Sequence, residues 1–178
     1  VRWLIRKSCG IKKIKVGHAG TLDPLATGVL VICTGKFTKR IPELQGTEKE
    51  YTGTFTLGAT TPSFDMETEV DKTFETSHIS KENLEEVAQK FTGEIEQIPP
   101  VFSALKKDGK RLYEYARKGE EVKVESRPVT IKEFEVDAPR FPEVDFRIVC
   151  SKGTYIRSMA NDFGLALNSG AYLSALKR

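Results

Sequence analysis

The chain has 178 residues, of which 39% are hydrophobic and 30% charged, with a formal net charge of +3. That length holds one domain with a real core, or two closely packed halves, and the composition is that of a globular protein. No apolar run can cross a membrane and no secretory leader is visible. Cys9, Cys33 and Cys150 are too few and too scattered for a zinc site or disulfide framework, so buried thiols in a reducing, cytoplasmic setting are expected.

In chain order, residues 1–9 carry Val1, Leu4, Ile5 and Cys9 on one helical face, and Gly10 ends the run. Val29-Leu30-Val31-Ile32-Cys33 is a continuous apolar run that reads as a buried strand, and residues 37–44 as a short helix. Residues 50–58 alternate as a strand with Tyr51, Gly53, Phe55 and Leu57 in phase, followed by a polar, turn-rich loop over 59–77. Ser80 predicts an N-cap for a helix over 81–91, with Asn83 in the place of the usual acid. Ile98-Pro99-Pro100-Val101 breaks regular structure before a basic segment, with a helix near 110–117 and a hinge at Gly109. Strands are expected at 128–136 and 144–150, a helix over 154–167 opened by Gly153, and a closing strand at 171–176. Strands and helices mix without a βαβ rhythm, which predicts an α+β fold with a mixed, mainly antiparallel sheet.

Charge is distributed unevenly along this chain. Residues 1–40 hold nine basic residues (Arg2, Arg6, Lys7, Lys12, Lys13, Lys15, Lys36, Lys39 and Arg40) and a single carboxylate, Asp23. Such polarity marks a surface for a polyanion. Asp23 lies between glycines in Gly17-His18-Ala19-Gly20-Thr21-Leu22-Asp23-Pro24-Leu25-Ala26-Thr27-Gly28. Asp-Pro is by itself an ordinary way to begin a helix or turn. The glycines and the one-sided charge favour a chemical role instead.

Three further segments carry candidate chemistry. In Lys49-Glu50-Tyr51 the tyrosine can stack on a base or simply pack on a strand. In Cys150-Ser151-Lys152-Gly153-Thr154-Tyr155-Ile156-Arg157-Ser158 a strand turns into a helix whose start suits an anion, with Arg157 able to pair with a carboxylate or phosphate. Between Ser103 and Lys118, the cations Lys106, Lys107, Lys110 and Arg111 interleave with Tyr113 and Tyr115, as in RNA-contacting loops. His18 and His78 are the only histidines, too few to suggest a metal site.

Together these segments, with Ile98-Pro99-Pro100-Val101-Phe102-Ser103-Ala104-Leu105-Lys106 and Leu112-Tyr113-Glu114-Tyr115-Ala116-Arg117, resemble the TruB-type tRNA pseudouridine synthases. The resemblance implies a pseudouridine synthase catalytic domain over 1–178, with a thumb-like RNA-binding insert at about 102–123. It implies truncation at both ends, without the family's Lys-Pro-Gly turn or its PUA-type domain. Asp23 is then the catalytic aspartate that attacks uracil C6 or ribose C1′, and the sequence leaves both routes open. Tyr51 stacks on the target base and Arg157 pairs with the catalytic carboxylate. Leu176 packs near the uracil and His18 holds the flipped loop. Lys106, Lys107, Lys110 and Arg111 contact RNA. The implied partner is the T-arm of tRNA, bound by a monomer without cofactor or metal. Alternatives are a guide-RNA-dependent synthase, an RNA-binding or tRNA-folding module without turnover, and a hydrolase that releases free base.

Overall fold

In chain order the computed structural model, which describes residues 1–11 and 13–178, begins with α1 (Arg2–Cys9), β1 (Val16–His18), β2 (Ile32–Thr34), a 3-10 turn (Gly35–Arg40) and α2 (Ile41–Gln45). Then come β3 (Lys49–Leu57), a small ribbon of β4 (Ala59–Thr60) and β5 (Lys72–Thr73), α3 (Lys81–Lys90) and β6 (Gly93–Gln97). A second ribbon, β7 (Lys106–Lys107) and β8 (Lys110–Arg111), leads into α4 (Leu112–Ala116). The chain closes through β9 (Arg127–Arg140), β10 (Glu143–Cys150), α5 (Ile156–Ala166) and β11 (Ala171–Lys177). Lys12, one of the nine N-terminal cations, lies outside the described residues.

Five strands form the main sheet in the order β11-β3-β10-β9-β6, every neighbour antiparallel. Period-two alternation puts Phe55 and Leu57 of β3, Val144, Phe146 and Ile148 of β10, and Val129 and Ile131 of β9 in the core, and a bulge in β9 shifts the phase so that Phe134 joins them. Helices α3 and α5 cover this face with Leu84, Val87 and Ala88 and with Ile156, Met159, Ala160 and Phe163. Phe55 stacks on Phe146 at 4.2 Å and meets Phe134 and Phe163 at 6.3 and 5.6 Å, so four rings share one contact. Gly53 sits mid-strand because the bulge in β11 brings Ala175 O within 2.1 Å of where its Cβ would be. This is the α+β, mainly antiparallel architecture that the alternation predicts.

Several local expectations hold. The Ser80 cap forms with both reciprocal bonds, Asn83 N–H to Ser80 Oγ at 3.3 Å and Ser80 N–H to Asn83 Oδ1 at 3.0 Å. Gly10 ends α1 in the left-handed region at φ 66°. Others need correction. The apolar run at 29–33 is no core strand: only Ile32–Thr34 is a strand, and Val29 and Val31 are exposed. It pairs with β1 outside the main sheet, and its first residues turn to meet the end of β11. Cys9 is exposed, unlike Cys33 and Cys150. Gly109 is no hinge; with Asp108 it makes a two-residue turn, both at positive φ, that joins β7 to β8. Strand β6 was hidden because its five residues carry only one large apolar side chain, Ile95. Helix α5 starts at Ile156, leaving Thr154 and Tyr155 ahead of it.

Candidate active site

Residues 19–29 run as a loop whose two ends are pinned at different places. Ala19 N–H donates to Val31 O at 2.9 Å, and Thr27 N–H reaches Leu176 O on β11 at 2.9 Å. Between them Asp23-Pro24-Leu25-Ala26 closes a turn through Ala26 N–H to Asp23 O at 3.0 Å. Pro24 fixes that turn by its ring, and no helix follows. The Asp23 side chain therefore caps nothing and points to α5.

There it meets Arg157, whose Nε and Nη2 donate to the two carboxylate oxygens of Asp23, each at 3.2 Å. This fork-on-carboxylate geometry fixes the plane of the acid as well as its position. Arg157 also donates from Nη1 to Ser63 O at 3.2 Å, and its Nε lies 3.5 Å from Asp65 Oδ2. The Arg157 and Asp65 side chains are 5% and 4% exposed, whereas Asp23 is 35% exposed. One buried guanidinium is thus shared by a sealed carboxylate and an open one. Sealing an ion pair costs solvation, and the second acid offsets it by keeping the cation matched when the first is engaged elsewhere.

Asp65 escapes the sequence reading. It lies in the polar 59–77 loop, and nothing local marks it as buried; Phe64 before it holds a φ of 63°, which only the folded chain reveals. Its backbone oxygen accepts from Thr61 Oγ1 at 2.7 Å and Ser63 Oγ at 3.2 Å, and it bridges to Leu173 of β11. Arg157 is placed just as firmly. Gln97 at the end of β6 exchanges two bonds with Tyr155, at 2.8 and 3.1 Å, and Ser158 Oγ donates to Ile98 O at 2.7 Å.

Beside the loop opens a cleft of about 650 Å³ lined by Gly20, Thr21, Lys49, Tyr51, Leu105, Arg127, Lys152, Tyr155 and Arg178, with no carboxylate on its walls. Tyr51 stands on β3, half-buried, and burial pushes its phenol up while the Arg178 guanidinium partly opposes this. Tyr155 is raised by burial as well, with the Asp23 charge adding to it. Leu176 lines a second, smaller cavity with Asp23, Asp65 and Leu173. The structure thus brings Asp23 and Leu176 to one small cavity with Arg157 paired to the acid, while Tyr51 lines the neighbouring cleft, within reach of the Asp23 charge. His18 is exposed on β1 opposite Ile32 and lines neither cavity. Lys106, Lys107, Lys110 and Arg111 stand exposed on the β7–β8 ribbon. There Lys110 lies 5.8 Å from the Tyr115 ring, and Arg111 and Arg117 flank Tyr113 at 5.9 and 5.3 Å.

A model of the TruB family of pseudouridylate synthases, N-terminal domain, matches residues 6–156. The chain belongs to this family. Among its TruB relatives is tRNA pseudouridine synthase B of Flavobacterium johnsoniae, 62% identical over the whole of this chain and 78% of its own length. The protein of the same name from Phocaeicola vulgatus is 60% identical over the whole chain and 76% of its length. Among solved structures, a chain of a Cbf5-Nop10-Gar1 complex superposes with a TM-score of 0.71 at 30% identity. That match covers 99% of this chain and 42% of the other, so this chain spans about two fifths of it.

Proposed function

We propose that this TruB-family domain isomerises a uridine in the T loop of tRNA to pseudouridine, with Asp23 as the nucleophile. The observation that carries the reading is a partly exposed carboxylate, held in plane by a buried arginine, at the edge of a cationic, aromatic-lined cleft. The reaction breaks the N1–C1′ bond and forms C5–C1′; the C5 proton leaves to solvent and N1 gains one. No electrons are gained or lost, so the chemistry asks for a nucleophile and proton transfers rather than a redox cofactor. Asp23 attacks C6 or C1′, and Arg157 holds its oxygens aligned through either route. Tyr51 is a neutral phenol at physiological pH, as tyrosines ordinarily are, and burial only raises it further, which suits stacking on a uracil face. Leu176 supplies apolar contact beside the acid. His18 is exposed on β1 outside the cleft, which supports a role in holding loop nucleotides rather than the reacting base.

A stacked uridine hides both C6 and C1′, so the base must leave the loop to reach Asp23. The insert at 102–123, with seven exposed cations, serves as the RNA-gripping thumb of a domain that acts as a monomer on the T-arm. High identity to tRNA pseudouridine synthase B, rather than the fold shared with the Cbf5 complex, favours a stand-alone enzyme over a guide-dependent one. Replacing Lys106, Lys107, Lys110 and Arg111 together weakens tRNA binding and lowers the salt slope by roughly 0.7–0.9 for each lost phosphate contact. An unchanged slope sinks the thumb assignment.

The decisive test is tritium release from tRNA labelled at uridine C5. Release by the wild type, none with Asp23→Ala and no free uracil are expected. Free uracil indicates a hydrolase; binding without release indicates a tRNA-folding module.

A further inference from the structure

Arg178 meets the Asp23 loop on both sides. Its Nη1 donates to Thr21 O at 3.1 Å, two residues before Asp23, and its Nη2 to Val29 O at 3.0 Å, six residues after. Its main chain adds two bonds, Arg178 N–H to Thr27 O at 3.1 Å and Val29 N–H to Arg178 O at 3.0 Å. Two glycines of the Asp23 segment make room for it. A Cβ on Gly20 would lie 3.2 Å from Arg178 Nη1, and one on Gly28 would lie 2.1 Å from Arg178 O. Both glycines also hold positive φ, 113° and 116°. Gly20 leaves room for the Arg178 guanidinium and Gly28 for the Arg178 main chain, and the positive φ of both adds a second reason for glycine.

The contrast with the other arginines is informative. Arg40, Arg140, Arg147 and Arg157 each pair with a carboxylate and Arg2 donates to one backbone carbonyl, Val16 O, whereas the Arg178 fork spans two backbone carbonyls. A planar fork can span two carbonyls that a lysine ammonium, as a single point, cannot bridge in the same way. The guanidinium also borders the cleft beside Tyr51. We infer that Arg178 is a positioning residue: its fork ties Thr21 to Val29 and so sets where the Asp23 carboxylate stands relative to Arg157 and the cleft. The backbone bonds at Thr27 and Val29 anchor only the outgoing half of the loop; the side chain is what fastens the incoming half to the end of β11. This inference rests on Asp23 being the nucleophile, while the clamp itself is a statement about the loop.

Arg178→Ala and Arg178→Lys in the full-length protein test it with two readouts. Amide hydrogen exchange over residues 19–29 should speed up in both variants, with the α3 and α5 amides unchanged. Unaltered exchange in that segment overturns the clamp, whatever the activity. Single-turnover pseudouridine formation at saturating tRNA should fall roughly 100-fold, the scale of a small misplacement of a reacting group, while the tRNA Kd stays within about 3-fold. A weakened Kd with an unchanged saturating rate overturns the inference and makes Arg178 an RNA contact. If Arg178→Ala fails to fold, Arg178→Lys keeps the charge and tests the fork alone. If the wild type forms no pseudouridine yet the variants loosen the loop, the functional reading falls and the clamp stands.

Discussion

Arg157 in the interior and Arg147 on the open face of the sheet each face more than one carboxylate. Arg147 reaches Glu50 at 2.9 Å and Glu135 at 3.4 Å, and touches Glu133, with its side chain 34% exposed. Bonding to Glu50 and Glu133 raises its guanidinium above the usual range. Arg157 has fewer acid partners and longer contacts, yet it is 5% exposed. Shorter distances do not make the stronger dependence. On the open face water and salt screen the charges and replace any partner that is removed. In the interior nothing replaces a lost partner, so geometry there is enforced by the cost of leaving a charge alone.

Arg157→Ala should have the largest effect. It strands Asp65 in the interior and frees Asp23 from its fork, so turnover is lost and stability falls by about 3–5 kcal/mol, read by urea denaturation. A fully folded, equally stable Arg157→Ala protein would break the comparison. Asp65→Asn comes next. It keeps shape but removes the sealed counter-charge, leaving Asp23 to balance Arg157 alone. Thermal melts should show a greater loss for Asp65→Asn than for Asp23→Asn, although Asp23 makes the shorter contacts with Arg157. The reverse order would mean that exposure does not govern the pair. Arg147→Ala is the smallest. Its melting temperature should stay within about 2 °C of wild type in physiological salt.

The same contrast explains what could be read from the chain alone. The Ser80 and Asn83 cap, the alternation of β3, the strands β9 and β10, and the helix that carries Arg157 depend on neighbours a few residues away, and they were legible. Asp23 and Arg157 could be named as partners only through the family resemblance, since 134 residues separate them. Asp65 was not legible, because burial of an acid in a polar loop is decided by where β11 and α5 arrive. Val29-Leu30-Val31 misled for the opposite reason: hydrophobicity says what a segment tolerates, and the pairing of Val29 with Arg178 decided where it went. Gly20 and Gly28 were correctly noticed, but their physical cause lay at the far end of the sequence.

Strand β11 has a consequence for the order of events during synthesis. It follows every other element described here, and it inserts between β3 and the segment that carries Asp23. At roughly 5–20 residues per second, some seven seconds or more pass between translation of Asp23 and that of its final support. A nascent chain that already displays the acid lacks Leu176 and Arg178, and Asp65 lacks its bridge to Leu173. Asp23 is therefore aimed only once the whole sheet has closed. Ribosome-stalled chains ending before β11 should carry every charge in the Asp23–Arg157–Asp65 cluster and still be inert toward RNA.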